Sequence, residues 1–400
     1  MATVKLFAAD AYQTQFEAAV VACLPVNGQF DVILDQTCFY AEAGGQPSDA
    51  GTLGGQSVLA VEIDGDGTIR HRVAAPLSGR VTGEIDWARR LDHMEQHTGQ
   101  HLLSGAFERL YDAETLSWHL GADRCTVDLE MAEFTGAQVE AIEAEVNRVI
   151  RSGLPVLFHL AETEAELSAY PLRKPPKVTE QIRVVEIQGY DWSACAGTHV
   201  SNIGELGLLK IKSWEKHKKG VRVDFLVGGR ALRDYQSLDL VTREAARALS
   251  IGQMELAGWT GRAQEEISGL RKQVKLMQEK LLELEATDLV AGAHVQNGVR
   301  IVAEIWAGRP ADEVRLLAAK VASVGGAVAV FGTRGAMPNL ILYRSTDVRA
   351  DMGTLLKEAL PLIGGKGGGS PVQAQGGGSK PEGLESAMEL LVRGVLGQLG

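Results

Sequence analysis

Along the first 90 residues apolar and polar side chains alternate in short runs, Phe30–Asp35, Ser57–Ile63 and Gly79–Ile85, divided by clusters of Gly, Asp and Pro. A period of two predicts half-buried strands, so residues 1–90 read as a small β-rich, barrel-like domain. The period changes after Asp86. Leu102, Leu103, Ala106, Phe107 and Leu110 share one helical face, which predicts a helix from about residue 92 to Tyr111. Strands are expected within 115–131. A helix is expected over Thr135–Ser152, opened by Thr135 and closed by Gly153 with Pro155 beyond it. Val178–Ile187, Gly207–Trp214 and Val221–Val227 read as further strands, which makes 91–233 one α+β domain with Cys195 in a loop between strands.

From Leu232 to about Leu289 the pattern is helical. Ile267, Leu270, Val274, Met277, Leu281 and Leu284 recur at alternating three- and four-residue spacing, a heptad seam. The segment 234–290 is therefore expected to be a helical arm, serving either an antiparallel pair within the chain or a homodimer. Residues 291–400 read as an α/β domain. Strands are expected at Val299–Ile305, Ala327–Phe331 and Asn339–Tyr343, helices at Ala311–Ser323 and Asp351–Leu360, then the glycine-rich run Gly364–Ser379 and an amphipathic stretch Gly383–Leu399. The fold class is α+β, in several domains.

With 400 residues, 45% of them apolar and 23% charged, the chain can bury several cores and is no disordered tail. Four scattered cysteines, Cys23, Cys38, Cys125 and Cys195, do not make a secreted disulfide framework. No apolar run approaches the roughly 18 residues of a membrane span, and a soluble, cytoplasmic protein without a membrane partner is expected. A net charge of −11 argues against a broadly basic nucleic-acid binder, yet Lys210 to Arg233 carries eight Lys/Arg against Glu215 and Asp224. That patch leaves room for a local polyanion contact.

The candidate chemistry lies in two short motifs. His97-Thr-Gly-Gln-His101 puts two imidazoles about one helical turn apart, and Cys195-Ala-Gly-Thr-His199 supplies a thiolate and a third imidazole at the same interval. Such a mixed nitrogen and sulfur set suits one Zn²⁺ better than calcium or magnesium. His93 lies four residues before His97, so spacing alone leaves a His93/His97 pairing open. A zinc protease is disfavoured: Thr98 stands where the general-base Glu of one scheme belongs, and Gln100 where the inverse motif needs Glu.

These motifs, with Asp35-Gln-Thr-Cys-Phe-Tyr-Ala-Glu-Ala-Gly-Gly-Gln-Pro-Ser-Asp-Ala-Gly51 and Val223–Tyr235, resemble the alanyl-tRNA synthetase editing domain and its free-standing AlaX-type relatives. The last hundred residues resemble the C-terminal domain of alanyl-tRNA synthetase, and no aminoacylation core precedes these modules. The resemblance selects His97, His101, Cys195 and His199 as ligands over His93. It implies hydrolysis of the ester that joins serine, or glycine, to tRNA(Ala). An open coordination position would be needed, for which His199 is the expected weak ligand.

Rejecting alanine while accepting serine requires a group that hydrogen-bonds the hydroxyl. Gln46 is favoured, with Thr98 and Gln100 as further catalytic candidates and Thr37 as a polar substrate contact. Gly44 and Gly45 would form the turn that aims Gln46. Lys216, Lys218 and Lys219 are candidate phosphate contacts. By composition Gly364–Ser379 is a flexible linker, whereas the resemblance favours close approach of its backbone to RNA, with Lys366 as a point charge. Two rivals stand beside the editing reading. One is a tRNA-binding or assembly protein whose zinc is structural; the other, a DHH-type phosphoesterase, lacks its Asp-His-His motif here.

Overall fold

A computed structural model describes residues 3–176 and 182–399. The chain is α+β and divides into two compact units, Met1–Ser250 and Ile251–Gly400. Among the described residues no helix is long and apolar enough to cross a membrane.

The first unit opens on a curled seven-stranded sheet. Its organiser is a strand absent from the sequence reading, Gln15–Val26. Its first part pairs with Arg80–Ile85 and its second with Gln29–Leu34, with a register shift between Val20 and Ala22 at the changeover. A bulge of this kind bends a strand and lets one sheet curl over its own core. Inside lie Phe16, Val32, Leu34, Phe39, Leu53 and Ile69. His71 and Thr37 are buried with them, hydrogen-bonded to each other at 2.8 Å.

Beyond this sheet the helix Trp87–Tyr111 crosses a four-stranded sheet ordered Thr115–Leu120, Cys125–Leu129, Gly220–Val227, Leu209–His217. The helix Gly136–Ser152 packs against both, with Thr135 closing a capping box at its start. A three-stranded sheet, Val156–Ala161, Ile182–Ile187, Asp191–Ala194, leads into the second motif. Of the expected strand Val178–Ile187, residues 178–181 lie outside the described residues. The helix Gly228–Leu249 ends the unit at Ser250, which adopts a left-handed backbone with φ 55°. The expected continuous helix 232–289 is therefore corrected to two, the second running Leu256–Ala291.

The second unit is a six-stranded mixed sheet, in which the parallel strands Val299–Ala307 and Ala327–Arg334 are joined by the helix Ala311–Ser323. Strand Ala327–Arg334 alternates cleanly. Ala327, Ala329 and Phe331 face that helix and the end of Leu256–Ala291, while Val328 and Val330 face the helices Met352–Ala359 and Leu384–Leu399. The glycine-rich run is corrected from a flexible linker to a hairpin of Lys366–Gly369 and Gln373–Gly377 on the sheet edge. A Cβ at Gly367 would lie 2.4 Å from the Gln375 carbonyl oxygen, and one at Gly369 2.2 Å from that of Gln373. Close backbone approach, not mobility, accounts for these glycines.

Candidate metal centre and its cavity

The helix Trp87–Tyr111 starts five residues before the expected position, with the Asp86 side chain accepting the Arg89 amide. Its first half escaped the apolar pattern because the face it buries is polar: Arg90, His93, Gln96, His97, Thr98, Gln100 and His101 are all buried. Arg90 is fully enclosed. It forms an ion pair with Asp49 and donates to the carbonyls of Ala11 at 2.7 Å and Cys38 at 2.6 Å. The segment carrying Gln46 is thereby tied to the helix that carries His97.

His97, His101, Cys195 and His199 converge, with one ligand atom from each lying within 4.8 Å of the other three. Cys195 Sγ is 3.3 Å from His97 Nε2 and 3.4 Å from His199 Nε2. Tetrahedral bonds of about 2.0 Å to nitrogen and 2.3 Å to sulfur separate the donors by roughly 3.5 Å, so the cluster has the right span for one cation.

The far side of each imidazole is engaged as well. Gln46 Oε1 accepts the Thr198 amide at 3.1 Å, which fixes it as oxygen, so His97 Nδ1 at 2.8 Å must be the donor and Nε2 faces the cluster. The same Gln46 donates from Nε2 to Thr198 Oγ1 at 2.8 Å. Thr98 Oγ1 lies 3.1 Å from His199 Nδ1 and accepts the Val200 amide at 3.2 Å. Asp191 Oδ2 stands 3.5 Å from His101 Nδ1, an ion-pair contact longer than a hydrogen bond, and Arg173 holds the other carboxylate oxygen at 2.8 Å. Oriented imidazoles backed by oxygen acceptors are what metal sites require.

Electrostatics point the same way. Burial alone would raise the Cys195 thiol, but His97, His199 and the hydrogen bonds of the imidazoles draw it well below the usual thiol range. Burial keeps His97 and His199 below the ordinary imidazole value. Burial also opposes charge on His101, yet Asp191 and the Cys195 thiolate outweigh it and raise this group to about 9. A thiolate and two neutral imidazoles are ready donors for a divalent cation, and His101 completes the set once it gives up its proton as the ion binds.

A cavity of about 350 Å³ opens beside the cluster. His97, His101 and Cys195 line it, together with Tyr40, Gly44, Gln100, Trp118 and Arg173. His199 is not part of the lining. Gln46 and Thr98 are buried behind the imidazoles, so of the three polar candidates only Gln100 lines the cavity, its Nε2 donating to Ser104 Oγ at 2.8 Å. Gly44 and Gly45 both have positive φ, as the turn requires. Thr37 is placed in the core of the curled sheet and does not line the cavity. His93 is buried outside the ligand group.

Lys216 lies in the strand Leu209–His217, and Lys218 and Lys219 form the exposed turn after it. Lys366 is exposed on the glycine hairpin of the second unit. The sequence reading missed Asp191, Arg173 and Trp118; no spacing rule ties them to the ligand motifs. Gly197 stands within the motif Cys195-Ala-Gly-Thr-His199, and the structure supplies its reason: a Cβ there would fall 2.2 Å from His97 Cε1.

The profile of the threonyl and alanyl tRNA synthetase second additional domain matches residues 182–222, which include Cys195 and His199. The alanyl-tRNA editing protein Aarsd1 of Rattus norvegicus is 35% identical over 303 residues, covering 71% of this chain and 72% of that protein. The alanine–tRNA ligase of Methanothrix thermoacetophila is 32% identical over 408 residues, covering 97% of this chain and 44% of the ligase. Among solved structures, the C-Ala domain of Aquifex aeolicus alanyl-tRNA synthetase matches 26% of this chain and 97% of that domain, at 21% identity and a TM-score of 0.25. On the extent and identity of the Aarsd1 match, with the ligand motifs converging as described, the chain belongs to the alanyl-tRNA editing proteins.

Proposed function

We propose that this protein is a zinc-dependent hydrolase that acts in trans on tRNA(Ala) mischarged with serine, and with glycine, cleaving the aminoacyl ester. The observation that carries this reading is a His₃Cys cluster with three of its members, His97, His101 and Cys195, lining an open cavity. A purely structural zinc has no need of such access. One Zn²⁺ per chain, held by these three with His199 as the weak fourth ligand that the substrate can displace, would supply Lewis acidity towards the ester carbonyl. Gln46, Thr98 and Asp191 orient the imidazoles. Gln100, the polar candidate that lines the cavity, has its Nε2 held by Ser104 and takes the serine hydroxyl on its amide oxygen, a hydrogen bond that alanine cannot supply.

Residues 1–90 and 91–233 together form the editing module in this reading, 234–290 the arm and 291–400 the C-terminal module. Lys216, Lys218, Lys219 and Lys366 contact tRNA phosphates. Removing the three hairpin lysines should weaken tRNA binding and flatten its salt dependence without altering amino-acid preference. The apolar seam of the arm supports a homodimer.

Purified protein incubated with Ser-, Gly- and Ala-tRNA(Ala) tests the proposal. Release of serine and glycine, lost with chelator and in Cys195→Ala, is expected; tRNA binding without turnover would favour the binding protein with a structural zinc.

A further inference from the structure

Trp118 takes no part in the ligand set or in the polar contacts assigned above, yet it stands at the reacting centre. It lies on the edge strand Thr115–Leu120 and lines the cavity beside Leu116. Its ring centroid is 4.5 Å from that of His97, with the planes inclined by 30°. On the facing turn, Gly45 has φ +90°, and a Cβ there would lie 3.1 Å from Trp118 Cε2. The Leu120 amide donates to the Gly45 carbonyl at 3.3 Å, which fixes strand and turn together. The double glycine of the signature thus has two consequences: Gly45 makes room for the indole, and Gln46 next to it secures His97.

A bulky, uncharged ring seated on a ligand imidazole occupies the space next to any ester carbonyl presented to the cluster. The terminal adenosine of a tRNA lies farther away along the ester. The group that varies between such substrates is the side chain on the acyl α-carbon, which begins two bonds from the carbonyl carbon and so is the part that an obstruction beside the cluster would select. We propose that Trp118 is the size-limiting wall of the acyl pocket: it leaves room for acyl groups as small as seryl or glycyl and rejects branched and aromatic ones by steric overlap. Selection against larger acyl groups then comes from the indole, whereas selection against alanine comes from polar contacts. The inference rests on the editing function proposed above.

Its test uses the full chain loaded with zinc and two probes that cannot be hydrolysed, 3′-serylamino- and 3′-leucylamino-3′-deoxyadenosine, read by calorimetry. Ser-tRNA(Ala) and Leu-tRNA(Ala) are followed in parallel. The wild type is expected to favour the seryl over the leucyl compound, and Trp118→Ala to shrink that preference at least about tenfold, chiefly by gaining the leucyl one. Metal content is measured on every sample. If Trp118→Ala holds less zinc, Trp118→Phe, which keeps an aromatic ring against His97 but gives up volume, is read by the same ratio. An unchanged seryl-to-leucyl ratio in the variant that retains zinc overturns the inference alone. Wild-type protein that neither releases serine nor binds the seryl probe overturns the proposed function and this inference with it.

Discussion

Two helices of this chain invert the usual rule in opposite directions. Trp87–Tyr111 buries charged and polar side chains, whereas Leu256–Ala291 exposes an apolar stripe: Ile267 is 50% accessible, Met277 62% and Leu281 65%. The difference lies in where the partners are. Most of the buried polar groups of the first helix meet partners brought from elsewhere in the chain. Arg90 meets Asp49, and Gln96 both donates to the Val227 carbonyl at 2.9 Å and accepts its amide at 3.0 Å. Such a helix is stabilised only within the completed fold, and the polarity it buries is concentrated at the His/Cys cluster. The long helix buries only Leu282, Ala286 and Val290, at its C-terminal end, and the rest of its apolar stripe is exposed.

Breaking the internal partnership should have the largest effect. Arg90→Met leaves the Asp49 carboxylate buried without its cation and strands the carbonyls of Ala11 and Cys38. A loss of about 3–5 kcal/mol in unfolding free energy is expected, measured by urea denaturation. A loss below about 1 kcal/mol would show that the fold does not depend on this clamp.

Acid should separate the two helices next. Burial pushes His93, on the polar helix, and His71, in the curled sheet, down to about 4. The unfolded chain binds these protons near pH 6.5 and the folded chain does not. Their contribution is therefore fully present above pH 6.5 and falls away as pH drops towards 4, by about 2 kcal/mol each between pH 7 and 5. The long helix contains no histidine and lacks this sensitivity. Urea midpoints at pH 7 and 5 for the wild type and for His71→Asn check this. An acid slope unaltered by the substitution counts against His71 as a source.

A subtler break is Gln46→Leu, which leaves the four ligands in place but removes the acceptor behind His97. Zinc affinity should fall about 10–100-fold, with folding largely kept. Competition with a chromogenic chelator measures it, and Thr98→Val should act in the same direction through His199.

The same contrast explains what the sequence could reveal. Helix Gly136–Ser152 was legible to the residue at its cap because Thr135 and Gln138 satisfy each other locally. Both ligand motifs were legible because their members are four residues apart. The start of Trp87–Tyr111 was not, since a face made of Arg90, His93 and His97 has no apolar period to follow. Strands Gln15–Val26 and Val156–Ala161 were missed for a related reason: neither alternates cleanly between buried and exposed positions along its length. Arg173 and Trp118 reach the cavity, and Asp191 the far side of His101, through tertiary placement, which spacing does not encode. The glycine hairpin misled in the other direction, because composition records the absence of side chains but not the backbone that takes their place.

The smallest expected effect belongs to the exposed stripe, and its smallness is the point. Changing Val274 and Met277 to Lys removes two seam residues that are 53% and 62% accessible, so no core packing is lost and the stability of a single chain should move by no more than about 0.5 kcal/mol. If the seam joins two copies, the same double substitution turns a dimer into a monomer in sedimentation equilibrium. In a parallel pair, Ile267, Val274 and Leu281 would alternate with Leu270, Met277 and Leu284 along the seam. Glu266 and Arg271, like Lys280 and Glu285, are spaced to make opposite-charge contacts across a parallel pair. Glu285 is already held by Arg309 at 2.7 Å, so the Glu266–Arg271 contact is the one left to respond. Glu266→Arg should weaken the dimer and Glu266→Arg with Arg271→Glu restore it. A wild type that sediments as a monomer at every concentration tested would leave the stripe an exposed face and break the contrast between the two helices.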